Sequence, residues 1–142
     1  MKLKKIIALV LLSFASLSLL AFAADTSQSL GKIDEQRLIG RWVRPDGGYI
    51  IDIQGVQAGG NLDADYFNPN PIHVSRAEWR KEDGALSIFI ELNDKNYPGA
   101  TYKLRFYPES EQLAGEYTQP LVGQTFDIYF VRETKDAGNG VS

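Results

Sequence analysis

Apolar and polar residues alternate in short runs between Ile39 and Arg132, and turn-forming residues break each run. A period of two sends successive side chains to opposite faces of a strand, so such a run marks a strand with one face buried and one in water. The pattern predicts eight strands, at about 39–44, 48–56, 61–67, 72–80, 85–92, 100–107, 112–118 and 124–132. The connections carry turn chemistry: Pro45-Asp46-Gly47-Gly48, Ala58-Gly59-Gly60, Asn68-Pro69-Asn70-Pro71, Asp83-Gly84, Tyr97-Pro98-Gly99, Pro108-Glu109-Ser110 and Gly123. None is long enough for a crossover helix, so neighbouring strands are expected to pair antiparallel in an up-and-down meander.

One phase of the alternation is strongly apolar. It holds Tyr49, Ile51 and Ile53, then Leu62, Ala64 and Tyr66, then Leu86, Ile88, Ile90 and Leu92, then Tyr102, Leu104 and Phe106, and finally Phe126, Ile128 and Phe130. The other phase holds Asp52, Gln54, Asp63, Asp65, Glu91, Lys103, Arg105, Glu116 and Asp127. Closing the meander into an eight-stranded antiparallel β-barrel buries the apolar face and removes the edges. A two-sheet sandwich is the competing arrangement. The alternation falters at Arg76 and Glu78, which fall in the inward phase of the fourth run. Either they form an inward charge pair, or a bulge switches the phase so that Ala77 and Trp79 point inward.

The ends of the chain lack this pattern. Lys2, Lys4 and Lys5 precede an apolar stretch from Ile6 to Leu20, and Ala21-Phe22-Ala23 follows with small-x-small spacing. This is the make-up of a cleaved export signal, and the stretch is short for a bilayer core needing about 20 apolar residues. The expected organisation is a signal at 1–23 cut after Ala23, a flexible leader with one helical turn at 24–37, a barrel at 38–133, and a disordered polar tail at 134–142. The expected location is therefore periplasmic or secreted, with no membrane span once the signal is gone. Without the three lysines, about 12 basic residues face 18 acidic ones, a formal charge of about −6. Such a chain lacks the cationic footprint that nucleic acid requires. The absence of cysteine excludes disulfides and thiol chemistry. No Gly-rich phosphate loop, Cys/His metal spacing or basic aromatic patch stands out along the sequence, and no cofactor or metal is expected.

Asp34-Glu35-Gln36-Arg37-Leu38-Ile39-Gly40-Arg41-Trp42 resembles the opening of lipocalin and avidin-like barrels, where a short helical turn runs into a Gly-x-Trp at the first strand. Lipocalins also place an arginine near the end of the last strand, over that tryptophan, and Arg132 sits where it would lie. The resemblance implies a calycin-type barrel. It does not extend to the lipocalin Thr-Asp-Tyr block, and avidin's biotin contacts do not map residue by residue, so no biotin binding is implied. Tyr66-Phe67-Asn68-Pro69-Asn70-Pro71-Ile72 also resembles a group of small bacterial exported proteins, which implies a fold and no function.

Strand direction supports the same closure. The first strand starts and the last strand ends at one end of a meander, so Gly40, Trp42 and Arg132 are expected to meet there, with a cation–π contact worth about 0.5–2 kcal/mol. Tyr49 and Tyr102 begin even strands and Tyr66 and Tyr117 finish odd ones, so all four phenols are expected inside the opposite mouth. Tyr97 and Leu121 lie in loops around that mouth. Two readings follow. The tyrosines line a site for a small, partly apolar molecule, making the protein a non-catalytic carrier or sensor. Alternatively the lumen is plugged, the phenols bond to backbone or water at the rim, and the protein binds a protein partner, for example as an inhibitor of an exported enzyme. A rim hydroxyl trades its bond for water, so a double Tyr→Phe change at Tyr66 and Tyr117 is expected to leave folding nearly intact while weakening any ligand held there; a large stability loss with unchanged binding would favour the protein-partner reading. His73 and Ser75 share a solvent face without an orienting acid and are not expected to be catalytic. Asp52, Asp63 and Asp65 read as a solvated acidic face rather than a calcium site.

Overall fold

Asp34 opens the chain described by the computed structural model, which covers residues 34–134. The expected signal, most of the expected leader and most of the expected tail lie outside the described residues. The Asp34 carboxylate accepts from Gln36 N at 2.9 Å and caps a single turn, Glu35–Leu38. Four residues close only i→i+3 bonds, Arg37 N to Asp34 O and Ile39 N to Gln36 O, so the turn is a 3-10 helix.

Nine strands follow: β1 (Gly40–Val43), β2 (Ile50–Val56), β3 (Leu62–Asn68), β4 (Asn70–Ile72), β5 (Val74–Glu82), β6 (Ala85–Asp94), β7 (Tyr97–Tyr107), β8 (Gln112–Gln119) and β9 (Gln124–Arg132). They form one antiparallel sheet in the order β4-β3-β2-β1-β9-β8-β7-β6-β5. First and last strands pair through Trp42↔Arg132 and Val43↔Val131, which excludes the sandwich. The sheet curls until β3 faces β5 across the remaining gap. There the contact is one bridge, Asn61↔Glu78, helped by Trp79 N to Gly60 O at 2.8 Å and Trp79 Nε1 to Gln57 O at 2.8 Å. The result is a nearly closed up-and-down barrel.

The count of eight strands is corrected to nine. The Asn-Pro-Asn-Pro block was expected to be a loop, yet beyond Pro69 the chain doubles back and pairs Asn70, Pro71 and Ile72 with Asn68, Phe67 and Tyr66. Proline is tolerated because β4 is an edge strand, where a missing N–H costs no ladder bond. The expected third-to-fourth hairpin is thereby replaced by the single bridge at Asn61.

The inward phase makes the core. Trp42, Ile51, Ile53, Tyr66, Leu86, Ile90, Leu92, Tyr102, Phe106, Leu113 and Phe130 are fully buried. Of the two readings of β5 the bulge is the observed one. The register shifts between Val74 and Arg76, and Ala77 and Trp79 then pack against the core. Arg76 and Glu78 pair outside, Nε to Oε1 at 2.8 Å.

The 3-10 turn plugs one end of the barrel. Leu38 is buried, and its carbonyl accepts from Trp42 Nε1 at 2.9 Å. The Arg132 guanidinium lies 4.1 Å over the Trp42 ring and donates to the carbonyls of Ile39 and Arg37 and to Glu111 Oε2. Gly40 has φ +139, and a Cβ there would meet Arg132 Nη1 at 2.5 Å, so glycine is required both by conformation and by space.

Candidate functional site: the tyrosine mouth and its lip

At the other end, Arg44 follows Trp42 by two positions and so stays on the inner face. Its backbone N–H bonds Tyr49 O at 3.0 Å, closing the β1–β2 turn. The side chain is buried in the mouth, 4.4 Å over the Tyr49 ring, and grips Asp46 with both arms, Nε to Oδ1 at 2.9 Å and Nη2 to Oδ2 at 2.6 Å. Burial disfavours the Arg44 charge, but Asp46 and then Tyr102 outweigh it and hold the guanidinium charged. The bond from Arg44 in turn keeps the Asp46 carboxyl below its ordinary range.

Tyr66 and Tyr102 meet across the barrel, hydroxyl to hydroxyl at 2.9 Å, each 1% exposed. The Tyr117 ring stacks on Tyr102 at 4.6 Å, and Tyr97 stands edge-on to Tyr66 at 6.3 Å. Asn68 Nδ2 donates to the Tyr97 hydroxyl, and Gln119 Nε2 to that of Tyr117 at 3.1 Å. Burial, followed by the neighbouring phenol of Tyr102, raises the Tyr66 pKa far above the usual phenol value. Burial also raises that of Tyr102, although the hydrogen bonds with Tyr66 and Arg44 oppose it. The half-buried Tyr117 is pushed up to about 12, first by burial and then by the surrounding phenols. Among the described residues no buried side-chain nitrogen or oxygen lacks a partner.

The structure therefore gathers Tyr66, Tyr97, Tyr102 and Tyr117, with Tyr49 held apart under Arg44. Gly40, Trp42 and Arg132 lie at the opposite, plugged end. One expectation needs correction: the Tyr66 hydroxyl is not a wet rim group but half of a buried pair. Sequence reading missed Arg44 and Asp46, although the phase that carried Trp42 inward also carries Arg44.

Above this floor the mouth has an uneven rim. β1 accompanies β9 for two residues and then turns away, so Gln124–Tyr129 pairs with β8 on one side and with no described strand on the other. Phe126 was expected in the core; with no strand beside it, it stacks over Tyr117 at 6.3 Å and is 43% exposed. Tyr129 on the opposite face is 47% exposed, and Leu121 and Val122 in the preceding turn are 62% and 60% exposed. Four of the six exposed large hydrophobics among the described residues thus lie on one hairpin, the β8–β9 lip.

Elsewhere, Ser75 Oγ donates to Glu91 Oε1 at 2.8 Å rather than to His73, Asp65 accepts from Gln54 Nε2, and Asp52 lies 3.9 Å from Arg41. Among the described residues no three His, Asp or Glu side chains gather where they would hold a metal ion, and no helix is long and apolar enough to cross a membrane. Fold and mouth define a small, nearly closed antiparallel β-barrel. No family model, curated protein or solved structure matches the chain.

Proposed function

We propose that this is an exported, non-catalytic binding protein whose β8–β9 lip captures an extended segment of a partner protein. The carrying observation is the concentration of exposed apolar side chains on a strand with a free backbone edge. Native sheets normally blunt their edges with proline, charge or brevity. The β4 edge has Pro71 and three residues, and β5 presents Arg76, Glu78, Arg80, Lys81 and Glu82. Gln124–Tyr129 has one charge, Asp127, and no proline. An added strand would satisfy its open donors and acceptors while the partner's side chains covered Phe126, Tyr129, Leu121 and Val122. An inhibitor of an exported enzyme is one protein of this kind. The Gly40–Trp42–Arg132 closure supports kinship with calycin-type barrels, and the Lys2–Ala23 segment supports export.

A second reading keeps the mouth as a site for a small, partly apolar molecule touching Tyr49, Tyr97, Tyr117 and Leu121. Arg44 favours it: a mouth arginine held by a single carboxylate, that of the exposed Asp46, can exchange it for a ligand's acidic group. The mutually bonded Tyr66 and Tyr102 offer such a ligand little, which is why the partner-protein reading is preferred. A photo-reactive residue at Val122, introduced in cells, separates the two. One polypeptide adduct, lost on Leu121→Asp and absent from a probe at Asp83, is expected. No adduct at 122, with a small molecule retained in a complex lost on Arg44→Gln, would overturn the proposal in favour of the second reading.

A further inference from the structure

The outer face of β5–β8 carries a concavity of about 620 Å³, far from the mouth chemistry described above and independent of it. The small residues Ser87, Ala114 and Gly115 are part of its lining. Gly115 lets β8 press against β7, since a Cβ there would collide with the Lys103 carbonyl. Phe89 and Tyr107 also line it, together with Arg76, Arg80, Lys103, Arg105, Glu78 and Glu82.

Register places these groups closely. Arg80 pairs across to Ser87, and Ser87 to Arg105, so two arginines flank one serine on the same face at neighbouring strand spacings. Lys103 is two residues from Arg105 on the same strand and therefore faces the same way. Seven arginines lie among the described residues. Arg37, Arg41, Arg44, Arg76 and Arg132 each have a carboxylate within salt-bridge distance. The two without one are Arg80 and Arg105, the pair that flanks Ser87. Glu78 is already held by both arms of Arg76, and Glu82 lies at the far end. Glu116, across from Lys103, stands outside the lining. Arg80 also acts on Glu78 at longer range, but Arg76, Arg80, Lys103 and Arg105 outnumber the two carboxylates of the lining, so the groove is net positive in a chain with a formal charge of −3.

We propose that this groove binds a phosphate monoester carried on an apolar or ring-shaped body. Two guanidinium forks match phosphate oxygens, the Ser87 hydroxyl adds a donor, and Lys103 supplies the third charge. Phe89, with the Arg76 guanidinium 5.0 Å over its ring, and Tyr107, with Arg105 at 5.9 Å, offer faces for the body to pack on. The volume falls within the range of small-molecule sites. The groups come from three strands and are scattered in sequence, so no linear basic aromatic motif announces them.

The test is titration of the whole protein with phenyl phosphate, followed by calorimetry and by amide NMR shifts. Saturable binding is expected, with shifts at Ser87, Phe89 and Arg105, and stronger than binding of inorganic phosphate. Arg80→Gln and Arg105→Gln should each weaken it about fivefold or more, and Glu82→Gln should tighten it. Both arginines are exposed, and unchanged melting temperatures would show that the variants fold. No saturation by about 10 mM, or unchanged affinity in the double variant, would overturn the proposal. Vesicles containing phosphatidate and soluble glucose 6-phosphate distinguish a lipid source of the ester from a free metabolite; binding of either supports the site.

Discussion

Gly40 has no side chain because Arg132 occupies the place one would fill, and Arg132 sits there because it lies over Trp42 and bonds the carbonyls of the 3-10 turn. Removing the buried indole in Trp42→Ala should cost about 3–5 kcal/mol. Arg132→Ala should cost less, and because the two groups share a contact the losses should be non-additive in a double-mutant cycle read by denaturant unfolding. Additive losses would refute the coupling. Glu111 ties this end down by accepting from Arg132 and Arg37. Burial opposes its ionisation, but those hydrogen bonds prevail and hold its pKa below the ordinary glutamate value. A depressed carboxylate contributes stability above its unfolded pKa and loses it as pH falls through the folded value. The melting-temperature gap between the native protein and Glu111→Gln should therefore be constant above about pH 5 and shrink below pH 4.5. At the mouth, Tyr66→Phe leaves the Tyr102 hydroxyl short of a buried partner and should cost about 1–3 kcal/mol, whereas Tyr117→Phe, at a half-exposed group, should cost less. Ultraviolet titration provides a second check: Tyr117 should ionise near pH 12, and Tyr66 only after unfolding.

Among the elements, those with clean alternation were legible in sequence because one buried face dictates register. β2 and β6 carry their inward residues buried in turn, and so does β7 from Ala100 onward. The turn and mouth loop expected at Tyr97-Pro98-Gly99 are corrected: the register shifts at Leu92/Asn93, Tyr97 pairs with Asp94 and Pro98 with Asn93, and Tyr97 opens β7 rather than lying in a loop. The faltering phase of β5 was legible as a choice between two geometries, and the cost of burying Arg76 beside the core explains why the bulge prevails. β4 was not legible, since three residues with a central proline make no periodic signal, and pairing with β3 is a tertiary event. The open edge of β9 was hidden for a different reason. Alternation continues through Thr125, Phe126, Asp127 and Ile128 as if the strand were buried, but burial depends on β1, which ends after Val43. Amides of Gln124–Tyr129 should accordingly exchange in an alternating pattern by NMR, slow where they face β8 and fast where they face the open side. Uniform protection along the strand would show that another segment already covers the edge.

For the molecule as a whole, polarity follows from direction alone. A meander puts the start of β1 and the end of β9 together, so the 3-10 turn, Trp42 and Arg132 seal one end while the phenols fall at the other. That much of the candidate site was readable: which residues share an end and a face. What was not readable is how they are satisfied. Whether a phenol bonds a neighbour, a ligand or water depends on distances across the lumen, and Tyr66 and Tyr102 choose each other. With that pair closed, the most available apolar surface is the β8–β9 lip. Native mass spectrometry of the protein isolated together with what it carries distinguishes capture of a polypeptide at this lip from a small ligand in the mouth. A complex heavier by a polypeptide is expected, absent for the Leu121→Asp, Val122→Asp double variant at unchanged melting temperature. A complex heavier by only a few hundred daltons and untouched by that double variant would contradict capture at the lip.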